Sequence, residues 1–156
     1  MKTTNSFIEA LRAECVRVSS LIVLEPGMGI VVAGTGGRKF VNYGLLAESM
    51  DIVRTCLNIR FVSHGDAPGA DRLFGLWARS RRIAERKLPA DWDNDGNAAG
   101  PIRNQMLLDS FPRPNVVVAM PGGSGTADMV CRSNQQGFPV LDIEEIMDRC
   151  FTPAGA

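Results

Sequence analysis

No apolar run in this 156-residue chain is long enough to span a bilayer, and no secretory leader is recognisable, so neither a membrane span nor export is expected. Close cysteine pairs are absent too. Cys15, Cys56, Cys131 and Cys150 form no C-x-x-C, and His64 is the one histidine. A zinc site needs close ligand pairs, so no metal is expected and the cysteines read as small core residues in a reducing cytoplasm. Net charge is also missing, since seventeen basic and seventeen acidic residues cancel. Without a global field, neither nucleic acid nor a membrane surface is an expected partner. The basic run Arg79, Arg81, Arg82, Arg86 and Lys87 reads as a solvated face near a helix C-terminus. Internal repeats and low-complexity segments are lacking as well. What remains is ordinary soluble composition, 45% apolar and 22% charged, at a length that suits one domain with a sizeable core.

The chemistry-bearing stretch is Pro121-Gly122-Gly123-Ser124-Gly125-Thr126. Val116 to Met120 before it is continuously apolar, as in a strand buried on both faces of a parallel sheet. The residues after it carry a helical pattern, with Ala127, Val130 and Cys131 expected to line the helix. Three glycines in four positions keep side chains away from a ligand. The helix start then directs unpaired N–H groups and the positive dipole end at whatever sits there, which suits a phosphate. No lysine follows the last glycine, so this is no Walker loop, and the spacing is not that of the dinucleotide fingerprint.

Other strand ends repeat the theme. Ile30 to Ala33 runs into Gly34-Thr35-Gly36-Gly37-Arg38, where Arg38 is placed to clamp a phosphate or stands as an exposed loop arginine. Ile59 to Ser63 breaks into His64-Gly65-Asp66-Ala67-Pro68-Gly69-Ala70-Asp71. His64 is either an acid–base group or a hydrogen-bonded structural residue. Asp71, in a first helical turn, either accepts hydrogen bonds from a ribose or simply complements the dipole. Leu88 to Asn97 reads as a loop whose Trp92 either stacks on a base or covers the core. Gly100-Pro101 opens a helix with Ile102, Met106 and Leu107 expected inward and Arg103 and Asn104 in its first turn. A cation there opposes the dipole, so an anion is expected to offset Arg103.

Helical spacing also covers Asn5 to Ser20, through Phe7, Ile8, Leu11, Cys15 and Val18. It continues in Leu45, Leu46, Ser49, Met50 and Val53, and ends in Ile143, Ile146, Met147 and Cys150. Gly137 to Leu141 supplies a last strand, and Thr152 to Ala156 is expected to fray. Short strands alternating with longer helices specify an α/β fold. It is a single Rossmann-like domain over residues 29–151, an open, mostly parallel sheet with helices on both faces, preceded by an N-terminal helical extension over residues 1–28. The ligand crevice of such a sheet lies beyond the carboxyl ends of its strands.

In their order, Gly36-Gly37-Arg38, His64-Gly65 with Gly69-Ala70-Asp71, Pro89-Ala90-Asp91-Trp92, Ala99-Gly100-Pro101 with Arg103-Asn104, and Pro121 to Thr126 resemble the YspA-related (YAcAr) branch of the SLOG superfamily over about residues 30–141. That superfamily includes the LOG phosphoribohydrolases and the Rossmann-like domain of DprA, and the branch is common in phage genomes. The resemblance implies a nucleotide or ADP-ribose-like ligand held by these motif residues, no further cofactor, and a homodimer or higher homo-oligomer. It also implies, as the alternative, N-glycosidic hydrolysis of a nucleoside monophosphate with Arg103 and Asp128 as catalytic residues. Met129 stands where LOG enzymes place a Glu, and Asp66 where the family has a second glycine.

Overall fold

The computed structural model describes residues 4–151, so the fraying expected over Thr152 to Ala156 lies outside the described residues. Five strands form one sheet in the order β3-β2-β1-β4-β5: β1 Ile30–Thr35, β2 Ile59–His64, β3 Ala84–Lys87, β4 Val116–Ala119 and β5 Val140–Asp142. Every pairing is parallel. The helices are α1 Asn5–Ser19, α2 Tyr43–Leu57, α3 Ala70–Ser80, α4 Trp92–Asp95, α5 Ala99–Asp109, α6 Ser124–Gln135 and α7 Ile143–Phe151. Among the described residues no helix is long and apolar enough to cross a membrane.

The continuous apolar strands are buried throughout, because the sheet has cover on both faces. Alternate residues of one strand feed two separate cores. Ile30, Val32, Val116 and Val118 join the larger one with Phe7 and Leu11 of α1, Met50 of α2, Phe74 and Trp77 of α3, and Ile146 of α7. Ala33 and Val117 join the smaller one with Leu107 and Leu108 of α5 and Met129 of α6. Local chemistry sets the helix ends. The Thr4 hydroxyl accepts the Phe7 N–H, the Asn42 side chain accepts the Leu45 N–H, and Asn58 ends α2 in the left-handed region at φ 53°.

Several expectations need correction. The basic run is divided: Arg79 and Arg81 do sit at the C-terminal end of α3, whereas Arg86 and Lys87 belong to the edge strand β3, whose pairing with β2 needs only backbone groups. The stretch Leu88 to Asn97 contains α4, started by the Asp91 carboxylate accepting the Asn94 N–H at 3.2 Å. In α5, Ile102 and Met106 are exposed, and Ala99, Asn104, Leu107 and Leu108 face inward. In α6, Ala127 and Cys131 are exposed, whereas Met129 and Ser133 are buried. Ser133 fits inside because its Oγ–H donates to the Met129 carbonyl at 2.7 Å, which leaves no polar atom unpaired.

Since α1 shares the larger core, it is expected to be needed for stability. Phe7→Ala should cost about 3 kcal/mol for a fully buried aromatic. Urea unfolding should still show one transition at a lower midpoint. A separate early transition would mean that α1 unfolds on its own.

Candidate functional site

The chain builds β1 at the centre of the sheet, moves outward through β2 and β3, and returns to place β4 on the other side of β1. The strand order therefore reverses between β1 and β4, and a crevice opens beyond their carboxyl ends. A cleft of about 860 Å³ lies there, lined from all sides by loop and helix residues. One wall is Thr35 to Phe40 after β1. Opposite it lies Pro121 to Thr126 after β4, with Asp128 one helical turn further on. Ala67 and Asp71 contribute from the β2 side, Trp92 and Asn97 from the α4 segment, and Gly100, Pro101, Arg103 and Asn104 from α5.

The two glycine turns meet backbone to backbone. Gly37 N–H donates to the Pro121 carbonyl at 2.9 Å, and Met120 N–H to the Thr35 carbonyl at 2.9 Å. A Cβ on Gly37 would lie 3.0 Å from Gly122 Cα, and one on Gly122 would strike Thr126 Oγ1. Gly123 is different: it is the N-cap of α6, no side chain caps the helix, and a Cβ there would meet nothing within 4 Å. The first turn of α6 therefore offers its N–H groups on the cleft lining, where an anion or water must satisfy them.

Positive charge surrounds this helix start. Arg38 is exposed and stacks over Trp92, its guanidinium carbon 4.9 Å from the ring centroid. Trp92 is half-exposed and lines the cleft rather than covering a core. Lys39 adds a second cation that sequence reasoning missed, although its place beside Arg38 after the glycine turn was a usable signal. Arg103 lies in the second turn of α5, since the helix begins at Ala99. Its Nη1–H donates to the Gly65 carbonyl at 2.9 Å and its Nε–H to Asn104 Oδ1 at 3.2 Å. The anion that offsets it is already in the protein: Asp71 Oδ2 is 3.7 Å from Nη1. Burial lowers the Arg103 pKa and raises that of Asp71 above the ordinary aspartate range, against their mutual attraction.

Asn104 is the structural centre of the far wall. Its Nδ2 donates to the Gly125 carbonyl at 3.1 Å and to Asp128 Oδ2 at 2.9 Å, which ties α5 to the start of α6. Arg132, one helical turn beyond, donates from Nε to the same Asp128 oxygen at 2.8 Å. The i,i+4 spacing of Asp128 and Arg132 was legible in the sequence but went unread. Burial acts to raise the Asp128 pKa, but the hydrogen bonds from Arg132 and Asn104 outweigh it and hold the carboxyl below its ordinary value. Met129 is fully buried with Leu107, Leu108 and Val117.

Three of the sequence candidates stand away from the cleft lining. His64 is fully buried, with Nε2 3.1 Å from Glu85 Oε2 and Nδ1 accepting the Asp66 N–H at 3.0 Å. Gly65 is buried beneath the Arg103 guanidinium. Gly69 is the N-cap of α3 at φ 85°, where a Cβ would run into the carbonyls of Gly37 and Arg38. Gly36, Gly37, Arg38, Asp71, Trp92, Arg103, Asn104, Pro121, Gly122, Gly123, Ser124, Gly125, Thr126 and Asp128 all lie around the one cleft. Among the described residues no group of three or more His, Cys, Asp or Glu side chains gathers as a metal-ligand set.

A strand-end glycine turn of this kind, followed by a loop with His64, Gly65, Gly69 and Asp71 and then by Trp92, is matched as a unit: residues 30–94 match the family described as YspA, cpYpsA-related SLOG. Residues 30–94 thus resemble a YspA-related SLOG domain. The match to the SLOG family takes in β1, β2, β3 and the start of α4, and it ends before Arg103, Asp128 and the Pro121 to Thr126 turn. Searches of curated proteins and of solved structures returned no match.

The Asp128 contacts carry a pH signature. A carboxyl held below its unfolded value stabilises the fold above the ordinary aspartate range, and that stabilisation is lost as pH falls through the lowered folded value. Asp128→Asn should therefore cost about 0.5 kcal/mol at neutral pH, given partial exposure. The difference from wild type should close from about pH 4 downward. Urea titrations at pH 7 and pH 3 measure it.

Proposed function

We propose that this SLOG-like domain binds a nucleotide or a nucleotide-derived ligand of the ADP-ribose type, as a sensing or sequestering module. The observation that carries the reading is the uncapped start of α6 on the cleft lining, with Arg38, Lys39 and Arg103 on the same cleft. A helix N-terminus flanked by cations favours phosphate, and a volume of about 860 Å³ is that of a small-ligand pocket. The match of residues 30–94 to the SLOG family supports a nucleotide-related role. Trp92 offers an aromatic face for a base, and Asp71 a carboxylate for a ribose hydroxyl. We further read the module as cytoplasmic, dimeric like the LOG enzymes, and phage-encoded as is common for its branch.

N-glycosidic hydrolysis of a nucleoside monophosphate is the second reading, favoured by Asp128 on the cleft lining. A general acid must carry a proton near neutral pH, and Arg132 and Asn104 hold Asp128 in its ionised form. Nor does Met129 offer a usable second position, because a Glu there would enter the smaller core. Wild-type protein incubated with a panel of nucleoside monophosphates should release no free base by chromatography. Turnover that vanishes in Asp128→Asn would establish the hydrolase instead.

Binding itself is tested at Gly123. Asp at this N-cap fits without a clash and should stabilise α6 by about 0.5 kcal/mol. Its carboxylate would occupy the anion position. Gly123→Asp should therefore raise the melting temperature slightly and abolish calorimetric binding of ADP-ribose and AMP. Unchanged affinity would remove the phosphate site from the α6 start. Native mass spectrometry of freshly purified protein identifies any ligand that co-purifies.

A further inference from the structure

His64 does not line the cleft, yet it holds the loop that does. Its ring is fully buried between the start of the 64–69 loop, α3 and the edge strand β3. A backbone amide can only donate, so the Nδ1 that accepts the Asp66 N–H carries no proton, and Nε2–H donates to Glu85. Glu85 is itself fixed by Arg79 Nη1 on its other oxygen. Gly75 in α3 makes room for the ring: a Cβ there would lie 2.8 Å from His64 Nε2 and would strike Glu85 Oε2. Asp66 sits at φ 54°, a left-handed conformation that a non-glycine residue adopts at a cost, so this amide needs holding.

The two neighbours of Asp66 are the ones that touch the cleft machinery. The Gly65 carbonyl accepts Arg103 Nη1–H at 2.9 Å, and Ala67 N–H donates to Asp71 Oδ2 at 3.3 Å. Arg103 Nε is engaged by Asn104, which leaves Nη2 for a ligand. We propose that His64 is a positioning residue: through the Asp66 amide it sets the Gly65 carbonyl, and with it the Arg103 guanidinium, for an anionic ligand that His64 never touches. This rests on the cleft being the ligand site, as proposed above. The half of the ring that matters is Nδ1, the acceptor, while the Glu85 contact anchors the ring to the sheet edge.

The test separates these two halves. In His64→Asn the side-chain Oδ1 takes the place of Nδ1 and can accept the Asp66 N–H; in His64→Gln the longer amide reaches toward Glu85 and leaves that N–H without a partner. Calorimetry of the full chain with ADP-ribose and with AMP should show His64→Asn close to wild type and His64→Gln weaker by about tenfold, the loss expected when one positioned charged hydrogen bond is released. The two variants should melt at similar temperatures, because each keeps one of the two contacts. Gly75→Ala, remote from the cleft lining, should displace the ring and weaken binding in the same way, and it stands in if the glutamine variant does not fold. Equal affinity in the asparagine and glutamine variants would overturn the proposal. If wild type binds neither probe, the function reading fails by itself, and the positioning role is then decided by deuterium exchange. Asp66 and Ala67 amides should exchange faster in His64→Gln than in wild type or His64→Asn, and equal exchange would overturn it.

Discussion

Everything at the cleft depends on how closely three backbone segments approach one another beyond the ends of β1, β2 and β4. Gly37 N–H reaches the Pro121 carbonyl, Ala70 N–H reaches the Gly37 carbonyl at 3.1 Å, and Met120 N–H reaches that of Thr35. Side chains cannot enter these contacts. A Cβ on Gly36 would sit 2.9 Å from Met120 Cβ and strike Ala70, and one on Gly69 would meet two carbonyl groups while its φ of 85° strains any L residue. The glycines of the strand ends thus serve the packing of loop against loop as much as room for a ligand. Gly123 and Gly125, which meet nothing within 4 Å, are the exceptions.

Once the loops are joined, the polar side chains around them have little freedom. Asn104 bridges Gly125 and Asp128, Arg103 bridges Gly65 and Asn104, and Asp71 accepts the Ala67 N–H, so segments after β2 and β4 are held by one pair of residues on α5. The buried Asp71 and Arg103 are weakly coupled at 3.7 Å, and burial disfavours the charged form of each. Such a pair contributes little net stability, since desolvation offsets the attraction. Its value is positional: each partner already has backbone contacts, and a ligand anion would add to the field around Arg103 without rearranging it.

How much of this was legible in the sequence varied with the kind of signal. Continuous apolar runs marked β1 and β4, and the helical spacing of Phe7, Leu11, Cys15 and Val18 marked α1 with its buried face. The edge strand β3 was not legible, because Ala84 to Lys87 has no apolar pattern and exists through pairing with β2 and through the bonds of Glu85 to His64 and of Arg86 to the Phe111 carbonyl. The inward face of α5 was misread because that helix carries apolar residues all round, and only the neighbours decide that Leu108 goes in and Ile102 stays out. At the site, the glycine motifs located the cleft, but the direction of each side chain was not readable. His64 and Asp71 stand seven residues apart in one motif, yet the ring packs under the sheet edge and the carboxylate lines the cleft.

The choice of glycine at position 123 bears on function more directly than the glycines that packing demands. Its φ of −102° is negative and the space beside it is open, although its ψ of −143° lies beyond the β region that capping residues occupy. Ser, Thr, Asp or Asn there would accept an N–H of the first turn and close off the orphan donors of α6, a gain of a few tenths of a kcal/mol over glycine. Other helices in the same chain use that device, at Thr4, Asn42 and Asp91. Gly69 and Ala98 also leave their helices without a side-chain cap, but at Gly123 the donors of the first turn lie on a cleft lined by Arg38, Lys39 and Arg103. A phosphate supplies the missing acceptor and a counter-charge for Arg38 and Lys39, which among the described residues have no offsetting carboxylate of the kind Asp71 gives Arg103, whereas a side-chain cap would compete with it for the same N–H groups.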